Sequence, residues 1–96
     1  MKKYFYVVEC VKTKKENNET VIEDTYSEKL FDCYEDARAY YEEVVSEETN
    51  KNVVYLLNKV EEVEENKTFY VYEFNDKLYD YVDQLDCSFK SDRSWT

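Results

Sequence analysis

Asp36, Glu43 and Glu47 lie seven and four residues apart, so a helix through them would set all three on one stripe, with Glu35 and Glu42 beside it. At about 1.5 Å of rise per residue the stripe runs roughly 16 Å. The chemistry such a row offers is electrostatic. Duplex DNA carries one negative charge per about 1.7 Å of axis, so a dense carboxylate row can occupy the Lys/Arg channel of a protein that handles nucleic acid. The row is also costly. Like charges on neighbouring turns weaken a helix, and Glu47 and Glu48 fall near its C-terminal end, where the dipole favours cations. Residues 21–50 hold ten acids against only Lys29 and Arg38. A plainer reading is the solvated face of an acidic protein.

Other candidate groups point to less. Asp76, Asp80 and Asp83 would share one face of a helix, and aligned carboxylates can bind Mg²⁺ or Ca²⁺. No calcium-loop pattern accompanies them, and Leu78, Val82 and Leu85 opposite them describe an ordinary amphipathic segment. Glu61-Glu62 and Glu64-Glu65 either extend the negative surface or solubilise a turn. The chain contains no His and no Gly. Their absence removes Ser-His and Cys-His nucleophile pairs, the common Cys/His zinc sites and phosphate-cradling loops. Cys33 stands near a helix start, but Asp32, Glu35 and Asp36 surround it with negative charge that opposes a thiolate. No catalytic residue, metal or cofactor is expected.

The elements that must position these groups follow from the apolar pattern. Residues 3–12 are β-branched and aromatic on both faces, with Tyr4, Tyr6, Val8 and Cys10 on one and Phe5, Val7 and Val11 on the other, as in a central strand. A turn over 13–19 uses Asn17-Asn18 for left-handed conformations, and a second strand near 20–27 completes a hairpin. Asp32 and Glu35 form a capping-box variant ahead of Tyr34, Ala37, Tyr41, Val44 and Val45, which recur at helical spacing and predict a helix over about 33–48. Strands near 53–63 and 68–74 make a second hairpin. Residues 77–87 fit a short amphipathic helix, or a further hairpin turned at Asn75-Asp76.

The two halves of the chain echo each other at an offset of 48. Asn18-Glu19-Thr20 recurs as Asn66-Lys67-Thr68, and Lys29-Leu30-Phe31-Asp32 as Lys77-Leu78-Tyr79-Asp80, as a ββα unit used twice would give. The expected fold is α+β in two layers. An antiparallel four-stranded sheet in ββαββ order carries one long helix on one face, with or without a short C-terminal helix. Its other face is left open and lined with tyrosine. Residues 1–90 form the single domain, and 91–96 a flexible tail with Trp95 near its end.

Composition bounds the function. The 96 residues carry a net charge of −10, with 43% hydrophobic and 38% charged residues, which describes a folded chain with a strongly acidic surface. The apolar run at the N-terminus stops at Glu9, too short for a secretory core, and no segment is long enough to span a membrane. Three widely spaced cysteines, at 10, 33 and 87, read as reduced thiols of a cytoplasmic protein rather than a disulfide framework. Abundant Lys, Asn and Tyr with scarce Ala and Arg suit an AT-rich bacterium or its phage. Five lysines, Lys2, Lys3, Lys12, Lys14 and Lys15, make a basic pole that guards a hairpin edge or drives head-to-tail self-association.

The leading expectation is therefore a small acidic, non-enzymatic interaction protein. It would inhibit or regulate a basic nucleic-acid-handling protein such as a nuclease, as a nucleic-acid mimic of the phage anti-defence type. Glu35, Asp36, Glu42, Glu43 and Glu47 would steer the partner, and Tyr70 and Tyr72 of the aromatic strand would anchor it. Direct nucleic-acid binding and membrane binding are not expected from this charge. The alternative is an assembly module that forms a homodimer, or binds a neutral partner, through an aromatic sheet face.

Overall fold

A computed structural model of the chain describes residues 3–65 and 71–88. Strands β1 (Tyr4–Glu16) and β2 (Glu19–Phe31) are followed by helix α1 (Tyr34–Glu47) and strands β3 (Val53–Val63), β4 (Val71–Phe74) and β5 (Lys77–Cys87). All pairings are antiparallel, in the spatial order β2-β1-β3-β5-β4.

β1 explains why the sheet takes this form. Val7, Val8, Glu9, Cys10 and Val11 are buried in succession, so both faces of the strand are covered. On one face Val8, Cys10, Tyr55 and Leu57 pack against Ala37 and Tyr41 of α1. On the other, Val7 and Val60 pack with Tyr72 and Tyr79, flanked by Phe5, Leu30, Phe74 and Tyr81. Among the described residues no helix covers that second face. The sheet covers it by curling, which brings Tyr72 of β4 to Glu9 of β1 at 2.7 Å, although two other strands lie between them. Three ladder spacings of about 4.8 Å would hold these strands roughly 14 Å apart in a flat sheet. The architecture is thus a curled, barrel-like sheet with one helix on its outside.

This corrects the expected fold. Among the described residues the sheet has five strands in ββαβββ order rather than four in ββαββ order, and strand rather than helix dominates. Residues 77–87 form β5, not a short C-terminal helix. Two features decide this. Asn75 and Asp76 have φ of 52° and 65°, which closes a two-residue turn of the kind that joins tight hairpins. The pairing of β5 with β3 also skips one residue at Val82 and one at Leu85. These bulges break the alternation of the strand, so Leu78, Val82 and Leu85 fall at a spacing that imitates a helix. The half-chain echo is not a structural repeat, because 29–31 end a strand and 77–80 begin one. The expected tail 91–96 lies outside the described residues.

The first hairpin is longer than the sequence suggests. Its turn contracts to Asn17-Asn18, with φ of 54° and 68°, and its arms extend to Glu16 and Glu19. Residues 14–20 are exposed on both arms, so the ribbon projects beyond the body. Thr13 ties its base to Asn52, whose carbonyl accepts from the Thr13 amide at 2.7 Å and hydroxyl at 3.1 Å. β2 also lies at an edge, with no outer neighbour among the described residues. It skips one residue at Glu23 and one at Glu28 in its pairing with β1, and such bulges twist an edge away from further pairing.

Four non-glycine residues with positive φ carry both tight turns, and Asn and Asp tolerate this region where β-branched residues do not. Asn18→Val is expected to destabilise the fold by about 1–2 kcal/mol, whereas Asn18→Gly should not lower stability. Denaturant unfolding midpoints of the two variants measure this. Equal midpoints for Val and Gly would contradict the assigned turn.

Candidate functional site on the outer face of the helix

α1 packs on the sheet through Ala37 and Tyr41, with Tyr34, Tyr40, Val44 and Val45 at the borders of the contact. The 3.6-residue period then turns Glu35, Asp36, Glu42, Glu43 and Glu47 outward, and all five are exposed. The helix thus sets these five predicted site residues on one surface. None of them forms an ion pair among the described residues.

The single cation of the helix is directed elsewhere. Arg38 stands on the flank of α1 and pairs with Asp86 near the end of β5. Its Nε donates to the Tyr34 hydroxyl at 3.0 Å, and its guanidinium lies 5.5 Å from the ring centres of both Tyr34 and Tyr41. The bond from Arg38 lowers the Asp86 carboxyl below its ordinary range, and the same bond holds the guanidinium charge. Burial, with the nearby Asp86 charge, pushes the Tyr41 phenol up. Arg38, Tyr41, Glu42, Val45 and Asp86 line part of a shallow cleft of about 320 Å³ between helix and sheet. The outer helical surface is left with carboxylates and no neutralising partner.

The ends of the helix differ from the sequence reading. Cys33 is the N-cap residue and makes no side-chain capping bond, so the Asp32–Glu35 capping box does not form. The Cys33 thiol instead donates to Glu35 Oε1 at 3.1 Å, which lowers the Glu35 carboxyl. At the other end Glu48 leaves the acidic row. Its carboxylate accepts from the Tyr55 hydroxyl at 2.8 Å and from the Asn50 amide at 3.1 Å, fastening the helix exit to β3. The Tyr55 bond lowers the Glu48 carboxyl. No basic residue occupies the last helical turn.

The aromatic anchors are placed differently from the acids. Tyr70 lies outside the described residues. Tyr72 is 5% exposed and points inward, so it is not a surface anchor. The open tyrosine-lined face is likewise absent among the described residues, because Tyr72 and Tyr79 are buried in the second core. Asp76, Asp80 and Asp83 do not align. Asp76 is in a turn, Asp80 is buried and Asp83 is exposed, as their place on and beside a strand requires. Among the described residues no disulfide is formed; Cys10 is buried, and Cys33 and Cys87 are half-buried.

Sequence reasoning missed a polar cluster inside the second core. Glu9 and Asn58 are each 1% exposed. The Tyr72 hydroxyl donates to Glu9 Oε1 at 2.7 Å, and Asn58 Nδ2 donates to the Tyr72 oxygen at 2.9 Å and to Glu9 Oε1 at 3.3 Å. The signal was present in the strand pattern. Glu9 falls in phase with Phe5, Val7 and Val11, a face already read as apolar.

Set beside known proteins, the chain matches no family model, no curated protein and no solved structure. Among the described residues no helix is long and apolar enough to cross a membrane.

Two outcomes follow. Glu47→Lys should raise the melting temperature by about 2–4 °C, because a cation replaces an anion at the negative end of the helix dipole. An unchanged or lower value would show that the row is not a cost to the fold. Asp86→Asn should lower stability at neutral pH. The folded-state pKa of Asp86 is depressed, so its contribution is present above the ordinary value of 3.8 and is lost as pH falls through the folded value. The gap between wild type and variant should therefore close on acidification, and chemical denaturation across pH reads it directly. A gap that persists at low pH would place the effect in packing.

Proposed function

We propose that this chain is a small acidic, non-enzymatic interaction protein that inhibits or regulates a basic nucleic-acid-handling protein. One observation carries the reading. Glu35, Asp36, Glu42, Glu43 and Glu47 all face outward without an ion pair among the described residues, while Arg38, the helix's only cation, is drawn off to Asp86. The result is a rigid row of carboxylates about 16–18 Å long, comparable in charge sign and pitch with a short stretch of nucleic-acid backbone. Such a row steers a Lys/Arg-lined groove over a distance set by salt, and it competes with the groove's own ligand.

The acids lie on a helix that packs on a closed core, so they present their charge without reorganisation. That favours association through fixed electrostatics. A phage-borne inhibitor of a host nuclease acting in the bacterial cytoplasm is the specific setting that this surface and the AT-rich composition suit. Assembly through an exposed aromatic sheet draws no support from the buried Tyr72 and Tyr79.

Reversing Glu42, Glu43 and Glu47 to Lys tests the proposal. Affinity capture from a bacterial lysate at low and high salt, read by mass spectrometry, should retain a Lys/Arg-rich nucleic-acid enzyme on wild type. Duplex DNA should displace it, and the variant should bind it at least about tenfold more weakly with a flatter salt dependence. Because the three positions are exposed, circular dichroism should show an unchanged fold. Equal affinity and equal salt slope for the two proteins would overturn the proposal.

A further inference from the structure

The polar cluster within the second core has a mismatch in its hydrogen bonding. Asn58 Nδ2 serves two acceptors, Tyr72 and Glu9, whereas Asn58 Oδ1 is buried and has no partner. A buried carbonyl oxygen left unsatisfied is costly, and natural interiors seldom contain one. The groups beside it are a carboxyl and a phenol whose proton is already given to Glu9 Oε1. An ionised carboxylate can only accept, so it cannot serve Oδ1, but a neutral carboxylic acid carries the donor that Oδ1 lacks.

We propose that Glu9 is held as the neutral acid, its hydroxyl donating to Asn58 Oδ1, and that this proton latches β4 over the second face of the sheet. The surroundings fit a neutral group. Ser27 of β2 and Leu56 of β3 stand opposite Glu9 in register. Asn58 of β3, Tyr72 of β4 and Tyr79 and Tyr81 of β5 share the same core. Of these only the tyrosines titrate, and none is cationic at neutral pH. The nearest described ion pair on this side, Lys77–Glu62, lies six residues along β3 from Leu56, about 20 Å away. Arg38 and Asp86 face the helix side. Burial raises the Glu9 carboxyl above its ordinary range, and the bonds from Tyr72 and Asn58 only partly oppose that.

The latch has a defined mechanical role. β4 is four residues long and pairs only with β5 among the described residues. Tyr72 joins it to the sheet by donating to Glu9 and accepting from Asn58, and closing β4 over a neutral acid costs far less than closing it over a carboxylate. Loss of the Glu9 proton to solvent requires water to reach the cluster, and β4, which carries Tyr72 against Glu9, is the element that would move aside. Rising pH would thus loosen β4 while β1 and β3 stay folded.

Carbon-13 NMR of the Glu9 carboxyl in the wild-type protein tests the proposal without a variant. The carboxyl carbon should keep the neutral-acid shift after the signals of the surface glutamates have moved in the same titration, and it should move only at higher pH. Titration together with the surface glutamates, or below them, would overturn the assignment. Glu9→Gln supplies a permanent amide donor in place of the proton. The folded pKa is raised, so the wild type loses stability as pH rises from the unfolded value through the folded one. The ratio of folding constants, variant over wild type, should grow by up to about tenfold per pH unit in that window and then level. A ratio independent of pH would overturn the linkage. Amide exchange completes the test. Protection at 71–74 should fall as pH rises through the folded value of Glu9 in wild type, beyond the fall seen in the variant, and identical behaviour in the two would overturn the latch.

Discussion

The burial of β1 on both faces is the constraint that the other elements answer. Five consecutive residues, Val7 to Val11, are closed off from water. A strand buried on one face needs one partner layer, but this one needs two. The described residues contain one helix and so one layer of helix to offer. α1 takes the face of Val8 and Cys10, and the sheet covers the face of Val7 and Glu9 by folding its own far edge over. The bulges in β5 serve that bend, because extra residues increase local twist and curvature. The cluster of Glu9, Asn58 and Tyr72 then joins the β4 edge to the interior strands β1 and β3 across the curled face.

What the sequence made legible divides along the same line. Local rules read the local features. The apolar run of β1, the helical spacing of Ala37, Tyr41, Val44 and Val45, and the left-handed Asn17-Asn18 turn each depend on a few neighbouring residues. The outward placement of Glu35, Asp36, Glu42, Glu43 and Glu47 follows from the same helical period. The errors are non-local. Leu78, Val82 and Leu85 imitate a helix because bulges in β5 answer the curvature of the whole sheet. Tyr72 looks like an exposed anchor because nothing in its own strand says that β4 will fold onto β1. The capping box does not form because the helix starts one residue later than its pattern requires, with Cys33 rather than Asp32 at the N-cap.

The charge distribution follows the fold closely. Cations are spent on aromatic rings and ion pairs: Lys12 on Tyr26, Lys29 on Phe31 and Tyr40, Lys59 on Tyr4, and Arg38 on Asp86. Acids that matter to the fold are also engaged, as Glu48 is with Tyr55 and Glu9 with Tyr72. The carboxylates of the outer helix are what remains after the structural demands are met. Apart from Glu35, which accepts from Cys33, none of their side chains bonds to the fold among the described residues, so this helical face can change with little loss of structure.

The two extra residues in β2 bear on how the protein behaves in a crowded cell. A thirteen-strong row of backbone groups at the rim of a sheet is a template on which another chain can grow, and repeated growth ends in fibrils. Glu23 and Glu28 break that template at two places, so no long uninterrupted register is on offer. The chain has no proline with which to interrupt an edge. It uses geometry instead: the two bulges shorten every stretch of this edge on which a second strand could pair.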